Sequence, residues 1–422
     1  MSIIKSNKSL NGIKIMHFKN TMDSKTVDID IADFVKIPLI QHMGEPCYPI
    51  VNKGDEVFVG QKIAESDKDF SVPIHASCSG IIFDITDYVT VSNQKCKAIV
   101  IKTDKKQTLD KSILPPIIND KTDFISAIKK SGLVGLGGAG FPTFMKLNYK
   151  NPDTVTKLVV NAAECEPFIT TDYRETFENT DNIVNGIKLI QRILNIEKVY
   201  FGIESNKPKS IDKINEIFEN DNNVNVVSLK QIYPQGAEKS IIFATTGIVV
   251  TEGKLPSDCG VIVLNISTIG FIGQYVKNGI PLIKKRITID GDCVKTPMNL
   301  SVPIGTPIKN LLEFCGVLDN YDKVLMGGPM MGIPIYDIAM PIIKNVNAIT
   351  VLSENMSKPP KTTNCIRCGK CISVCPMKLM PANFERAYDK KDINMLEELS
   401  INLCILCGSC SYICPAKRNL AQ

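Results

Sequence analysis

The sequence predicts a multidomain chain that mixes α/β and α+β units, and three observations carry that expectation. Short apolar runs broken by turn residues fill the first part, as in an all-β module. The middle alternates strand-like apolar runs with segments of helical period, which implies a mainly parallel sheet. The tail concentrates eight of the fifteen cysteines in two copies of one pattern. On these grounds the 422 residues divide into an all-β domain at 1–112, an α/β domain at 113–283, a small β-grasp module at 284–357 and a helical cysteine-rich domain at 358–422.

Strands are expected from about Phe18 to Thr103. Ile37, Leu39 and Pro49-Ile50-Val51 precede the turn Asn52-Lys53-Gly54-Asp55, and Ser79-Gly80 opens the run Ile81 to Ile85. The stretches GDEVFVGQKIAE and PIHASCSGII resemble the lipoyl-like barrel-sandwich hybrid, with no lysine at the tip position that would carry a lipoyl group. A docking or structural module is therefore expected. His42, Cys47, His75 and Cys78 lie in its turn-rich segments. Three readings stand: a zinc site, a redox-active Cys47/Cys78 pair, or buried core residues.

Leu114-Pro115-Pro116 reads as a linker, and Ile125 and Ile128 as one face of a short helix. The stretch from Gly132 to Thr143 is then dense in glycine, and such a loop turns backbone N–H groups onto a phosphate or simply makes a tight turn. Lys146 adds a point charge. Lys157 to Asn161 is a buried strand running into Ala162-Ala163-Glu164-Cys165-Glu166-Pro167. Polar residues at a strand's C-terminal end are where α/β sheets place ligands. A helix over Asn182 to Asn195, a strand at Val199 to Ile203, a helix at Ile211 to Phe218 and a strand at Val224 to Leu229 continue the alternation. The polar loop Tyr233 to Lys239 and the strand Val261 to Asn265, followed by Ser267 and Thr268, complete it.

Short strands with Pro297, Pro303 and a helix at Ile308 to Cys315 predict the β-grasp module, and Lys358-Pro359-Pro360-Lys361 a hinge. Beyond it, Cys365, Cys368, Cys371 and Cys375 precede Pro376, and Cys404, Cys407, Cys410 and Cys414 precede Pro415. Each copy reads C-x2-C-x2-C-x3-C-P, in which three thiolates hold one [4Fe-4S] cluster and the fourth crosses to the other. One cluster thus takes Cys365, Cys368, Cys371 and Cys414, and the second takes Cys404, Cys407, Cys410 and Cys375. Zinc favours CxxC pairs, and disulfide frameworks belong to small secreted domains. Two clusters mean electrons moved singly.

A net charge of +5 is mild for this length and gives no argument for nucleic acid. No run approaches eighteen uninterrupted apolar residues and the start has no apolar core of a signal peptide, so a cytoplasmic chain without a membrane span is expected.

The motifs GLGGAGFPT, NAAECEP, YPQGAEKS and MGGPMMG, in this order, resemble the C subunit family of the Rnf electron-transport complex and, through it, the flavin-binding subunit of respiratory complex I. The likeness covers nearly the whole chain. It implies a barrel-sandwich start, an FMN domain, a β-grasp module of the SLBB type and a two-cluster ferredoxin end, with noncovalent FMN taking hydride from NADH. Carried over by motif position, Gly135, Gly137, Gly138 and Lys146 hold the FMN phosphate. Asn161, Glu164, Asn265 and Thr268 line the flavin with Tyr233 and Gly236 nearby, and Phe141, Glu166 and Glu238 face the nicotinamide nucleotide. Leu136 replaces an arginine of the complex I motif, and Ala163 its aspartate. The GGxHP opening of Rnf-type chains is not visible, and Cys47 and Cys78 stand where those chains have small or apolar residues. These departures incline the likeness toward the soluble proline-reductase-associated electron-transfer proteins of amino-acid-fermenting anaerobes. That reading sends electrons from NADH through FMN and the clusters, with Cys47 and Cys78 as candidate redox thiols, to D-proline reductase. The alternatives are the peripheral C subunit of a membrane Rnf ferredoxin:NAD oxidoreductase complex, docked on Rnf membrane subunits at the inner face of the cell membrane and linking ferredoxin oxidation to NAD reduction, and a flavin-free cluster relay and docking module.

Overall fold

The computed structural model describes residues 3–422, and its centre is a five-stranded sheet paired parallel throughout. Its order is Ile4–Lys5, Val224–Leu229, Lys198–Glu204, Lys157–Ala162, Val261–Asn265. Strands buried on both faces are expected to be apolar throughout, and these are: Leu158, Val160, Phe201 and Leu264 pack to one side, Val159, Val227 and Val263 to the other. The chain leaves Lys157–Ala162 toward Lys198–Glu204 on one side and later returns on the other, so a topological switch lies between Lys157–Ala162 and Val261–Asn265. Asn161 and Asn265 are register partners there, at the carboxyl ends where such sheets bind ligands. Helices Thr180–Leu194 and Ile266–Asn278 cover one face and approach to backbone contact through Gly186 and Gly273.

The first module packs a four-stranded sheet (Phe34–Pro38, Lys95–Thr103, Gly80–Val89, Glu56–Val57) near a three-stranded one (Tyr48–Pro49, Lys62–Glu65, Ile74–His75), with Val35, Ile63, Ile74, Ile99 and Ile101 fully buried in their shared core. The third module is a six-stranded mixed sheet with the helix Ile308–Cys315 on its core. The opening residues, expected to belong wholly to the all-β domain, also serve the other two. Ile4–Lys5 is an edge strand of the central sheet, and Val27–Asp28 an edge strand of the β-grasp sheet. Two-residue strands carry no periodicity, so nothing in the sequence marks them.

The helix Thr171–Glu178 is also new to the structure. Its residues Thr171 to Thr176 are all buried, so it lacks the one-sided apolar pattern that announces a helix. The tail folds into the short helices Lys370–Ser373, Pro381–Asp389, Ile393–Glu398 and Ser409–Ile413 around the cysteine loops.

Candidate functional site

The glycine loop is held by its carbonyls and leaves only its central N–H groups free; Gly135 N, expected on the FMN phosphate, donates instead to Phe141 O (2.8 Å). Lys344 Nζ donates to Gly132 O (2.8 Å), Lys285 Nζ to Leu136 O (2.8 Å), Asn345 Nδ2 to Gly138 O (3.0 Å), and Met43 N to Gly140 O (2.9 Å). Leu136 N donates to Thr268 Oγ1 (3.0 Å). Among the described residues, the N–H groups of Gly137, Gly138, Ala139 and Gly140 have no protein acceptor. Gly138 sits at φ +118° with open space where a Cβ would be. A cradle of unpaired donors at a sheet's switch point fits a phosphate. Burial lowers Lys285 and Lys344 to about 8. Sequence reasoning found neither lysine, because a lysine whose partner is a backbone carbonyl in another module leaves no local pattern.

Asn161 Nδ2 donates to Gly236 O (2.8 Å), while its Oδ1 accepts from Ala163 N (3.2 Å). Asn265 accepts from Ser267 N (2.9 Å), capping its own helix, and donates to Asp172 Oδ2 (2.7 Å). Asp172 is buried, which raises its pKa, and its other oxygen accepts from Ser267 Oγ (2.8 Å).

The loop Ala163–Ile169 departs from the expected picture in the direction of its carboxylates. Glu164, expected to line the flavin, lies at φ +49° and turns its carboxylate back to cap the helix Thr171–Glu178, accepting from Asp172 N (2.7 Å). Glu166, expected to face the nicotinamide, accepts from Met330 N (3.1 Å) and Met331 N (2.8 Å) of the MGGPMMG loop. Burial raises both carboxyls. Their bonds follow from the need to partner a desolvated charge, and helix-end or loop N–H groups are the nearest donors. Two lysines pin the loop. Lys19 Nζ donates to the carbonyls of Glu164 (2.9 Å), Glu166 (2.8 Å) and Ile169 (2.5 Å). Lys207 Nζ donates to Ala163 O (2.5 Å) and pairs with Glu204 at 2.8 Å, with both side chains out of water.

Lys146 and Glu238, expected on the phosphate and the nicotinamide respectively, form an ion pair with each other. Phe141 meets Phe70 of the first module with centroids 5.4 Å apart, and that aromatic partner was not singled out in the sequence. Tyr233 is buried, and its hydroxyl donates to the carbonyl of Cys407 (2.8 Å) in the cysteine tail.

The two cysteine runs fold alike. Arg367 and Leu406 are left-handed at φ 55° and 54°, Gly369 and Gly408 at 73° and 75°, and Lys378 and Lys417 at 57° and 55°. Gly369 has nothing within 4 Å of a built Cβ, so the visible demand at these glycines is their dihedral rather than crowding. Cys375, Cys404, Cys407 and Cys410 line one hollow with Pro376, Leu379 and Phe384. Burial raises the Cys375 thiol, and the neighbouring Cys407 and Cys404 add to the effect; Cys414 adds likewise to the burial that raises Cys371. Leu379 N donates to Cys375 Sγ (3.3 Å). Four thiols set around a hollow fit a cubane, one thiolate to each of its four irons. Among the described residues, no three metal-ligating side chains gather as a single-ion site.

His42, Cys47 and His75 surround the buried Lys344 rather than a zinc position. Burial, with Lys344 beside them, lowers the imidazoles to about 4 and about 3. Cys47 bonds to Val72 O (3.2 Å) and Ser71 Oγ (3.4 Å), and Cys78 is pushed up to about 12 by burial. Both are free thiols in the module's core, an environment that keeps the reactive thiolate scarce, against the expectation of a redox pair.

Four family descriptions match the chain in series. They are the RnfC barrel sandwich hybrid domain at 8–106, the Nuo51 FMN-binding domain at 128–274, the SLBB domain at 286–334 and the 4Fe-4S dicluster domain at 361–418. The chain is 43% identical to the C subunit of the proton-translocating ferredoxin:NAD(+) oxidoreductase complex of Clostridium ljungdahlii, over 85% of this chain and 79% of that one. It is 40% identical to the C subunit of the Na(+)-translocating ferredoxin:NAD(+) oxidoreductase complex of Acetobacterium woodii (83% and 80%), and 34% identical to the C subunit of the ion-translocating oxidoreductase complex of Rhodobacter capsulatus (86% and 72%). Among solved structures, a chain of an NAD+-reducing [NiFe]-hydrogenase in the H2-reduced state matches with a TM-score of 0.51 at 17% identity, covering 72% of this chain and 59% of that one, a likeness of fold. The chain therefore joins an FMN-binding domain to a 4Fe-4S dicluster domain.

Proposed function

From the premise that this chain belongs to the C subunit family of the ion-translocating ferredoxin:NAD(+) oxidoreductase complexes, we propose that it is the peripheral electron-transfer component of such a complex. In this reading it exchanges electrons with a nicotinamide nucleotide through FMN, and passes them singly through two [4Fe-4S] clusters to or from membrane-bound partners. Bound FMN would supply the conversion between two-electron hydride chemistry and one-electron transfer. The protein's part is position. Gly137 to Gly140 would hold the phosphate with their free N–H groups, Asn161 and Asn265 would border the ring, and the Lys146–Glu238 pair would open or shift when a phosphate competes for the ammonium. Phe141 with Phe70 offers the aromatic wall for a nucleotide base.

The observation that carries the reading is the direct contact between the two halves: the flavin-domain residue Tyr233 bonds to a cluster-loop carbonyl, which supports electron passage between a flavin held in that domain and the clusters. Among the described residues no helix is long and apolar enough to cross a membrane, which suits attachment through partners. The D-proline reductase assignment leaned in part on Cys47 and Cys78, which are buried, and the relatives the chain matches are C subunits of ion-translocating complexes.

The test is anoxic purification with reconstitution by FMN and iron-sulfide. NADH is expected to bleach the flavin and the cluster absorbance, and the chain to co-purify with membrane subunits. Retention of oxidised clusters under NADH would refute the nucleotide half. Recovery of a soluble reductase in place of membrane subunits would refute the partner half, and absence of releasable FMN fluorescence would leave a flavin-free relay.

A further inference from the structure

The two cysteine sets are not equivalent in their surroundings. Cys407 is buried in an apolar cluster with Ile13 and Tyr233, against which Cys165, Met330 and Val374 pack. Tyr233 is fixed there from three sides. Its backbone pairs with Ile13 in both directions (2.9 and 2.8 Å), its hydroxyl reaches Cys407 O (2.8 Å), and three residues on, Gly236 O accepts from Asn161. Met330, whose carbonyl lies 3.5 Å from a Cβ built on Gly408, is in turn bonded through its N–H to Glu166. Both contacts, one from the flavin domain and one from the β-grasp loop that Glu166 holds, land on the Cys404–Cys410 run. Cys365 and Cys368 are exposed, whereas their counterparts Cys404 and Cys407 are half-buried and buried.

We propose that the cluster held by Cys404, Cys407, Cys410 and Cys375 is the inner one, which exchanges electrons with the flavin, that Tyr233 is the positioning residue fixing its loop against the flavin domain, and that the Cys365, Cys368, Cys371 and Cys414 cluster is the outer one met by a one-electron partner. This rests on the preceding reading that FMN and both clusters work in sequence. With FMN and both clusters bound, each crossing would carry one electron and no heavy atom, a loss at the flavin matched by a gain at the inner cluster and then at the outer one; the chain's part is to hold the Cys404–Cys410 loop against the flavin domain.

The experiment uses the full chain loaded with FMN and iron-sulfide, with the flavin photoreduced anoxically so that no nucleotide is needed, and cluster reduction read by electron paramagnetic resonance. In Cys410→Ala the flavin is expected to stay reduced while the surviving outer cluster stays oxidised. In Cys368→Ala the surviving inner cluster is expected to fill, with delivery to a soluble one-electron acceptor lost. The reverse pattern overturns the order. Tyr233→Phe keeps all eight ligands and is expected to shift the spectrum and midpoint potential of the Cys404-set signal alone. An unchanged signal, or a shift confined to the other cluster, overturns the positioning role even if the cysteine variants fail to load. If NADH leaves the flavin oxidised while photoreduced flavin still fills the inner cluster, the nucleotide reading falls and the cluster order stands.

Discussion

Replacing Lys207 by methionine isolates the device that holds the flavin-side loop. Its ammonium makes bonds of 2.5 Å to Ala163 O and 2.8 Å to Glu204, and the two side chains are 1% and 0% exposed. Methionine fills nearly the same volume, so packing is conserved, while Glu204 is left as a buried carboxylate without its cation. Breaking a buried pair from one side costs roughly 3–5 kcal/mol. Removing both ends, as in Lys207→Met with Glu204→Leu, takes away the stranded charge and leaves only the Ala163 carbonyl short of a donor, at about 1–3 kcal/mol. The double variant is therefore expected to be more stable than the single one, the reverse of additive damage. Urea unfolding followed both by FMN release and by far-ultraviolet circular dichroism measures this, with the two probes separating loss of the site from loss of the sheet. If the single variant costs less than about 1 kcal/mol, or the double costs as much as the single, the pair is not what holds this loop.

Three further outcomes follow from the same structure. Glu166 is raised from 4.5 to about 7 by burial, so its contribution to stability is fully present below about 4.5 and is lost as pH rises through about 7; Glu166→Gln should flatten the fall of the thermal midpoint between those values, and an unaltered pH profile would contradict the burial assigned to it. A Cβ on Gly273 would lie 2.0 Å from Asn182 O, and one on Gly186 2.3 Å from Ile269 O, so either alanine variant should push helices Thr180–Leu194 and Ile266–Asn278 apart at a cost of at least about 1–3 kcal/mol in urea unfolding. Wild-type stability in either would disprove the close approach. Cys47 and Cys78 should resist alkylation in the native protein at neutral pH and react on unfolding; labelling at the rate of an exposed thiol would reinstate them as redox candidates.

What the sequence revealed and what it concealed divide by the range of the interaction. The strands Lys157–Ala162 and Val261–Asn265 were legible because burial on both faces demands unbroken apolar runs, and the cysteine runs because ligand spacing is local. The glycine loop was legible as a cradle for the same reason. The agents that shape it were not: Lys285 comes from the β-grasp strand, Lys344 and Asn345 from a loop beyond it, and Met43 from the first module, each bonding to a backbone carbonyl that any residue supplies. A motif assigns Glu164 to a ligand because family position is all it encodes; whether the carboxylate turns to the ligand or to the N-terminus of Thr171–Glu178 is decided by a helix with no periodic signature.

The same division bears on Leu136, which stands where the complex I motif has an arginine. In this fold the Leu136 carbonyl receives a positive charge from Lys285 Nζ at 2.8 Å, delivered from another module and buried beside Asp172. The glycine loop is thus tied to how the β-grasp sheet is seated. Lys285→Met should therefore weaken FMN binding with little change in the protein's far-ultraviolet signal, because it leaves the Leu136 carbonyl without its donor, at about 1–3 kcal/mol. Fluorescence titration of FMN into the variant decides it: affinity equal to wild type would show that the loop keeps its shape without Lys285, and that the contact is a consequence of module packing rather than a determinant of the site.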